Sequence, residues 1–196
     1  REMARRLLPR EASVEVTGLY YLMGWWLDEI IAGQRRGLAL SFALVAIMMM
    51  IGLRSLRVGL GSMVANALPL LVLGGYLGLA WDQVDSDTLV VAMMAIGIGV
   101  DDTIHFLMRY RQESRRCATT AEAIERTYMF SGRAIVLTTV VLVLGFAPFA
   151  LSDYFTTRIF GTLLPLTLVA ALLADLVLVP AMIQLGYLRF RPARRA

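Results

Sequence analysis

Five long stretches of the sequence carry almost no charge, and they constrain the fold more than any other feature. The hydrocarbon core of a bilayer is about 30 Å thick, and a helix of roughly 20 apolar residues crosses it. The composition agrees, because 58% of the residues are hydrophobic and 17% are charged, against about 25% charged in soluble domains. The sequence therefore predicts an all-α, polytopic membrane protein built as a bundle of five transmembrane helices. The five stretches are residues 37–53, 58–81, 88–108, 134–152 and 159–188.

The segments outside these spans have different compositions. Residues 19–36 combine aromatic pairs with acidic and basic side chains, which favours an amphipathic helix at the membrane interface, where aromatic rings prefer the headgroup level. Thr119 and Glu122 have the spacing of a capping box, so a short helix is predicted to begin there, between the third and fourth spans. Residues 1–18 are predicted to lie outside the membrane as the tail of a preceding domain, and residues 189–196 form a basic tail.

Arginine is concentrated in the connections on one side of the predicted bundle. The chain has 19 basic residues and a net charge of +4, and every basic residue is an arginine. Short cytoplasmic loops collect basic residues, so the side with most arginines is predicted to be cytoplasmic. Because the arginines are spread between apolar blocks, no nucleic-acid partner is expected. Those on the predicted cytoplasmic side are Arg54, Arg57, Arg109, Arg111, Arg115, Arg116, Arg126, Arg133, Arg189, Arg191, Arg194 and Arg195.

Two adjacent aspartates, Asp101 and Asp102, interrupt the third span. A carboxylate at membrane depth is costly unless it faces the protein interior, is paired or is protonated. His105 follows Asp101 by four residues and shares its helix face, close enough for a hydrogen bond or for proton sharing. Gly97 and Gly99 would let a neighbouring helix approach closely beside the carboxylates. We predict that the pair relays protons with His105; the alternatives are a purely structural, hydrogen-bonded pair and a histidine that merely ends the span.

Three polar residues of the later spans are also assigned to the predicted relay. Thr138 and Thr139 lie one turn into the fourth span, and Asp175 lies near the middle of the fifth. The alternatives are that the hydroxyls bond their own backbone, as threonines in membrane helices usually do, and that Asp175 only anchors packing. The single Cys117 excludes a disulfide framework and a cysteine-rich metal site. No metal and no organic cofactor is expected.

Residues 97–106, with the sequence GIGVDDTIHF, resemble the fourth-helix motif of the resistance-nodulation-division (RND) superfamily. Within it, the closest resemblance is to the MMPL and hopanoid-transporter-like group related to Patched. Further short motifs of this group occur along the chain, in the same order as in the second half of those proteins. They are residues 17–18, 54–57, 66–69, 132–134, 145–146 and 173–180.

The resemblance implies a protein of twelve spans in two similar halves, each with a large periplasmic domain. This chain would supply spans 8 to 12, preceded by residues 1–18 as the tail of the second periplasmic domain. Asp101 and Asp102 would then carry protons in span 10 and face span 4 of the N-terminal half. The implied activity is proton-driven export from the bacterial inner membrane, not enzymatic catalysis, with protons as the coupling ion. The sequence has no lysine, whereas drug exporters of the superfamily have one in span 10, which favours a hydrophobic or lipid-like substrate. The implied partners are the N-terminal half, membrane lipids and the substrate, with a homo-oligomer left open.

Three other functions compete with this one. A sterol-sensing-like module would bind lipid and regulate a partner without pumping. An intramembrane aspartyl protease would use Asp101 and Asp175, but Val100 interrupts the Gly-x-Gly-Asp signature and no tyrosine precedes Asp175. An accessory subunit of protein export from the same superfamily is the third alternative, although such subunits have six spans and different loop motifs.

Overall fold

Helices make up the regular secondary structure in the part of the chain that the computed structural model describes, namely residues 18–80, 86–188 and 190. One 3-10 segment, Ala147–Leu151, follows the fifth helix, and two π-helical segments, Tyr128–Gly132 and Ala174–Leu178, lie between α-helices. The α-helices are α1 (Leu19–Leu53), α2 (Leu56–Ala80), α3 (Ser86–Glu113), α4 (Thr120–Thr127), α5 (Arg133–Phe146), α6 (Phe155–Leu173) and α7 (Val179–Gln184).

Five helical runs in the described part are long and apolar enough to cross a membrane, which confirms the predicted all-α polytopic fold. The second, third and fifth spans form the interior of the bundle. In the most apolar part of each of these spans, 44–50% of the residues are buried, against 11% in the first and fourth spans. The outer two spans therefore leave most of their apolar surface uncovered. The spans, numbered in chain order, are Leu22–Leu53, Leu56–Leu79, Ser86–Glu113, Thr120–Leu151 and Phe155–Gln184.

The first helix is continuous from Leu19 to Leu53. No proline interrupts this sequence, and nothing separates the segment predicted at the interface, residues 19–36, from the predicted first span. An interfacial position for residues 19–36 stays a prediction. The third helix also extends past the predicted apolar stretch at both ends, with Asp87 in its first turn and Arg111 in its last. Each of these charges interacts favourably with the helix dipole at its end of the helix.

The capping box predicted at Thr119 begins α4. The Thr119 hydroxyl accepts from the backbone N–H of Glu122 at 3.2 Å, and the Glu122 carboxylate accepts from the N–H of Ala118 at 3.3 Å. Helix α4 then continues through the π-helical segment Tyr128–Gly132 into α5 without a loop. The short helix and the fourth span, which the sequence separates at residue 134, are thus one helical run.

Alternating spans bring the connections with most arginines to the same end of the bundle, which we call the arginine-rich end. There the guanidinium of Arg111 donates to the carbonyl of Leu53 at 3.0 Å and lies 5.6 Å from the ring centre of Phe190. At the opposite end, Ser86 donates to Gln34 at 3.0 Å and Thr156 donates to Asp87 at 2.8 Å, which ties α3 to α1 and α6.

Two apolar clusters fill the interior between these ends. One includes Met49, Leu53 and Phe106 and lies towards the arginine-rich end. The other includes Leu77 and Leu163 and lies towards the opposite end. All but the last residue of the predicted segment 1–18 and nearly all of the predicted basic tail lie outside the described residues. The loop 81–85, with Asp82 and Asp85, also lies outside them.

Gly161 lies where α6 crosses the 3-10 segment, and we expect its replacement by alanine to destabilise the protein. A Cβ atom at this position would lie 2.0 Å from the backbone nitrogen of Ala150 and 2.3 Å from the carbonyl carbon of Phe149. Backbone cannot rotate away, so the segments must separate, at a cost of about 1–3 kcal/mol. Thermal unfolding in detergent measures the change. Gly145→Ala is the control, because a Cβ at Gly145 meets nothing within 4 Å; equal melting temperatures for the two variants would contradict the close crossing.

Candidate functional site

In the third span, Asp101 and His105 lie on one exposed face, and the buried Thr103 lies on another. Asp101 and His105 are one helical turn apart, with 3.5 Å between the carboxylate Oδ1 and the imidazole Nε2. Their side chains are 75% and 68% exposed. The structure thus brings together the aspartate and histidine that the spacing predicts as neighbours. It places them on an open face of the bundle, although they lie within an apolar span.

Asp101 and Asp102 line a groove of about 740 Å³ between α1, α3 and α5. Met48 forms the α1 wall, and Leu137 and Thr138 form part of the α5 wall. Gly97 also lines the groove, and a Cβ there would meet nothing within 4 Å, so this part of α3 is open to a further helix. Lipid tails cannot solvate the two carboxylates, and water does not favour contact with the apolar walls. The groove therefore combines a charged and an apolar surface.

The threonines assigned to the relay occupy different places. Thr138 lines the groove with the two aspartates, whereas Thr139 is buried. Both hydroxyls donate to the carbonyl of Ile135 in their own helix at 2.9 Å. Neither hydroxyl donates to Asp101 or Asp102, so the local backbone bond weighed as the alternative is the one formed. Thr138 contributes to the wall of the groove, and the relay role of both residues stays a prediction.

Asp175 belongs to a second polar group, which is buried behind α3. Its side chain is 1% exposed, as is that of Thr103, and Asn66 is 5% exposed. The Thr103 hydroxyl contacts Asp175 Oδ1, and it lies 3.1 Å from both the Asn66 side-chain oxygen and the Gly99 carbonyl. We call Asn66, Thr103 and Asp175 the buried polar triad. It joins the second, third and fifth spans at one point.

The triad has more acceptors than donors around the Thr103 hydroxyl. A hydroxyl has one proton to donate, yet it faces the oxygens of Asp175, Asn66 and Gly99. A proton on the Asp175 carboxyl would bond to the Thr103 oxygen and leave the hydroxyl proton for one of the other acceptors. Which of the three oxygens accepts the Thr103 hydroxyl proton thus depends on whether Asp175 itself carries a proton.

Asp175 lies in the π-helical segment Ala174–Leu178. Within this segment, the carbonyl of Leu176 lacks its usual hydrogen-bond donor in the helix. Pro180 has no N–H to donate to the Leu176 carbonyl four residues earlier. The hydroxyl of Tyr128, which lies in the other π-helical segment, donates to that carbonyl. The Tyr128 ring meets Phe106 of α3 edge-on, with ring centres 5.6 Å apart. Single π-helical turns are frequent at functional sites, and here two of them are joined by a side chain.

Thr103, Asn66 and Tyr128 were not among the predicted relay residues. Sequence signals point to two of them: Asn66 places an amide within an apolar span, and Thr103 places a hydroxyl one residue after Asp102, rotated by about 100° on the helix. No comparable signal points to Tyr128. Among the described residues, no group of three or more histidine, cysteine, aspartate or glutamate side chains is placed to hold a metal ion.

Comparison with known proteins gives both family-level and individual matches. A family model described as the MMPL family matches residues 1–196. A membrane protein of Methanocaldococcus jannaschii is 30% identical over 110 residues, which is 56% of this chain and 28% of that protein. A membrane protein of Streptomyces coelicolor is 29% identical over 149 residues, which is 71% of this chain and 21% of that protein.

The third relative has a named activity. The trehalose monomycolate exporter MmpL3 of Mycolicibacterium smegmatis is 32% identical over 98 residues, which is 50% of this chain and 10% of that protein. The matched segments thus span between 10% and 28% of the relatives' own lengths. No solved structure gives a significant match.

Proposed function

The chain belongs to the MMPL family, and we propose that the protein is a proton-driven RND-type exporter of hydrophobic or lipid-like molecules. The observation that carries this proposal is the Asp101–His105 pair, with Asp102 beside it, on the open face of the third span. An exporter fits better than an enzyme because these residues are set to exchange protons within a membrane span. We expect the protein in the inner membrane of a bacterium.

The exposed carboxylates need a protein partner. Ionisable groups within spans almost always face the interior of a bundle or a water-filled cavity, because lipid cannot solvate them. Asp101 and His105 are more than two-thirds exposed in this chain, so a further helical bundle has to cover the groove. We assign that bundle to the N-terminal part of the same polypeptide. The covered groove then holds the aspartates between two bundles, where water and protons reach them along a confined path.

Proton binding at the groove changes the packing of the two bundles. An ionised Asp101 or Asp102 repels its neighbour and needs water, whereas the protonated form lets apolar walls close around it. Each proton that crosses a potential of 100 mV releases about 2.3 kcal/mol. That free energy is available to move the helices, and with them the domains outside the membrane that carry the substrate. His105, at 3.5 Å from Asp101, is the proposed acceptor on the side of the arginine-rich end.

The proposed substrate class rests on the relative with a named activity. MmpL3 exports trehalose monomycolate, a lipid, and the absence of lysine in this sequence separates it from the drug-exporting pattern described above. We therefore propose an apolar or lipid-like substrate. We propose no cofactor besides the coupling proton, and no nucleic-acid partner.

Dependence on the proton gradient tests the proposed function. Cells that express the full-length protein are loaded with Nile red or a fluorescently labelled phospholipid, and export is followed before and after a protonophore is added. We expect export above that of cells lacking the protein, and its loss within the time that the gradient takes to collapse. A parallel sample, depleted of ATP but given an imposed pH gradient, should still export. Export that survives the protonophore, or binding of the probes without export as a lipid sensor would show, would contradict the proposal.

A further inference from the structure

A second cavity lies at the arginine-rich end, away from the aspartates. It has a volume of about 630 Å³ and lies between the end of α1 and the end of α3. Four arginines line it, together with the side chains that end the apolar stretches of the two helices. The arginines are Arg54, Arg111, Arg115 and Arg116.

The positive charge of this cavity is offset only by the partial negative charge at the ends of the two helices. No carboxylate is among the described residues that line it. The nearby acid Glu113 is 2% exposed and pairs with Arg109 at 2.9 Å. Glu122 pairs with Arg126 at 3.0 Å. Four guanidinium groups that line one cavity repel one another. An anion bound between them would form hydrogen bonds and would also reduce the repulsion among the four positive charges.

Two of the arginines are held in place by the fold. The guanidinium of Arg111 donates one bond to the Leu53 carbonyl and lies against the ring of Phe190, which leaves its other N–H groups for a ligand. Arg54 has φ of 48°, a left-handed conformation that favours glycine at the end of a helix. An arginine at this position costs stability relative to glycine, and a role for its side chain in binding accounts for it.

The lining indicates what kind of anion fits. Guanidinium groups bind phosphate with paired N–H bonds and remain charged at any physiological pH. Ile51 and Met108 supply apolar wall beside the arginines, and the cavity lies where the uncharged part of both helices ends, which is the level of lipid headgroups. A phosphate attached to an apolar body uses both parts of the lining.

We propose that this cavity binds a phosphate group of the kind that anionic phospholipids carry in the adjacent leaflet. The site is separate from the proton relay, and it does not depend on the proposed export. A bound lipid would bridge α1 to α3 at their shared end. Because the phosphate chemistry is common to lipid and to free phosphate, the experiment must separate the two sources.

Native mass spectrometry of the purified full-length protein tests the site with phosphatidylglycerol, with the neutral lipid phosphatidylcholine and with inorganic phosphate. Both lipids carry a phosphate, but phosphatidylcholine also carries a choline cation, which the four guanidinium groups of the cavity repel. We therefore expect phosphatidylglycerol to bind at least about tenfold more tightly than phosphatidylcholine, which corresponds to about 1.4 kcal/mol. Failure of millimolar phosphate to compete assigns the site to the lipid. If millimolar inorganic phosphate displaces phosphatidylglycerol, the cavity binds phosphate, but its ligand is the free anion and not the lipid.

Arg54→Gly and Arg115→Gln are the test variants. Glycine suits the backbone at Arg54, so this variant is expected to melt no lower than the wild type while its affinity for phosphatidylglycerol falls about tenfold. The matched control is Arg57→Gln, which removes an exposed arginine in the first turn of α2 that does not line the cavity. The proposal is overturned if the test variants keep wild-type affinity, or if Arg57→Gln weakens binding as much as they do.

Discussion

Replacement of Asp101 or Asp102 by asparagine is expected to reduce export to the level of cells that lack the protein. Asparagine has the size of aspartate but can neither take up nor release a proton. The groove therefore keeps its shape, but export is no longer coupled to proton movement. Both side chains line the same groove, and each is required if the pair shares protons. The measurement is gradient-dependent export of the fluorescent lipid probe, with the amount of protein in the membrane determined in the same cells.

The control for the aspartate pair is Asp153→Asn. Asp153 is an exposed aspartate in the connection between the fourth and fifth spans, and its loss should leave export unchanged. His105→Gln is expected to lower export only in part, because His105 is one of several polar groups that would lie near Asp101 in a covered groove. Wild-type export in both Asp101→Asn and Asp102→Asn would refute the proton relay.

The spans themselves were predictable because length and absence of charge are local properties. An apolar stretch such as residues 37–53 has few structures available in a membrane besides a helix. The Asp101–His105 contact was predictable for the same reason, since a spacing of four residues places two side chains on one helix face. The capping residues Thr119 and Glu122 are equally local: the Thr119 hydroxyl accepts the expected bond from the Glu122 N–H, and the Glu122 carboxylate accepts from Ala118, one residue before the N-cap.

The buried polar triad was not predictable because it joins residues far apart in the chain. Thr103 meets Asn66 across 37 positions and Asp175 across 72, and only the packing of three helices brings them together. The helix also continues from Leu19 to Leu53 across residue 36, where the composition changes. Charged and aromatic residues change the surface of a helix without ending it, so composition alone does not predict where the helix begins or ends. The contact between the two π-helical segments is equally non-local, because Tyr128 donates to the Leu176 carbonyl across 48 positions.

Asp175→Asn separates a proton-binding role of the triad from a structural one. The asparagine amide can donate to the Thr103 oxygen, and its carbonyl can accept, so every bond that a protonated Asp175 makes is retained. We therefore expect the variant to fold and to melt within a few degrees of the wild type. Export of the lipid probe is expected to fall to the background of cells without the protein, because the buried group no longer exchanges a proton.

Thr103→Val measures the structural contribution of the same triad. Valine keeps the shape of threonine and removes the hydroxyl, which leaves buried oxygens of Asn66 and Asp175 without that partner. An unsatisfied buried polar group costs about 1–3 kcal/mol, so the melting temperature is expected to fall. Thr138→Val is the matched control, because the Thr138 hydroxyl bonds only its own helix and its loss should cost less.

The two variants together decide between the roles. If Asp175 only anchors the packing of the second, third and fifth spans, Asp175→Asn preserves the anchor and export continues at the wild-type rate. If Asp175 takes part in proton transfer, Asp175→Asn stops export in a protein of normal stability, whereas Thr103→Val lowers stability and export together. Since Thr103 directly follows Asp102 on α3 and contacts Asp175, a proton change in the triad acts on the helix that carries the groove aspartates. Loss of export in Asp175→Asn with intact stability would therefore place a second proton site behind the groove.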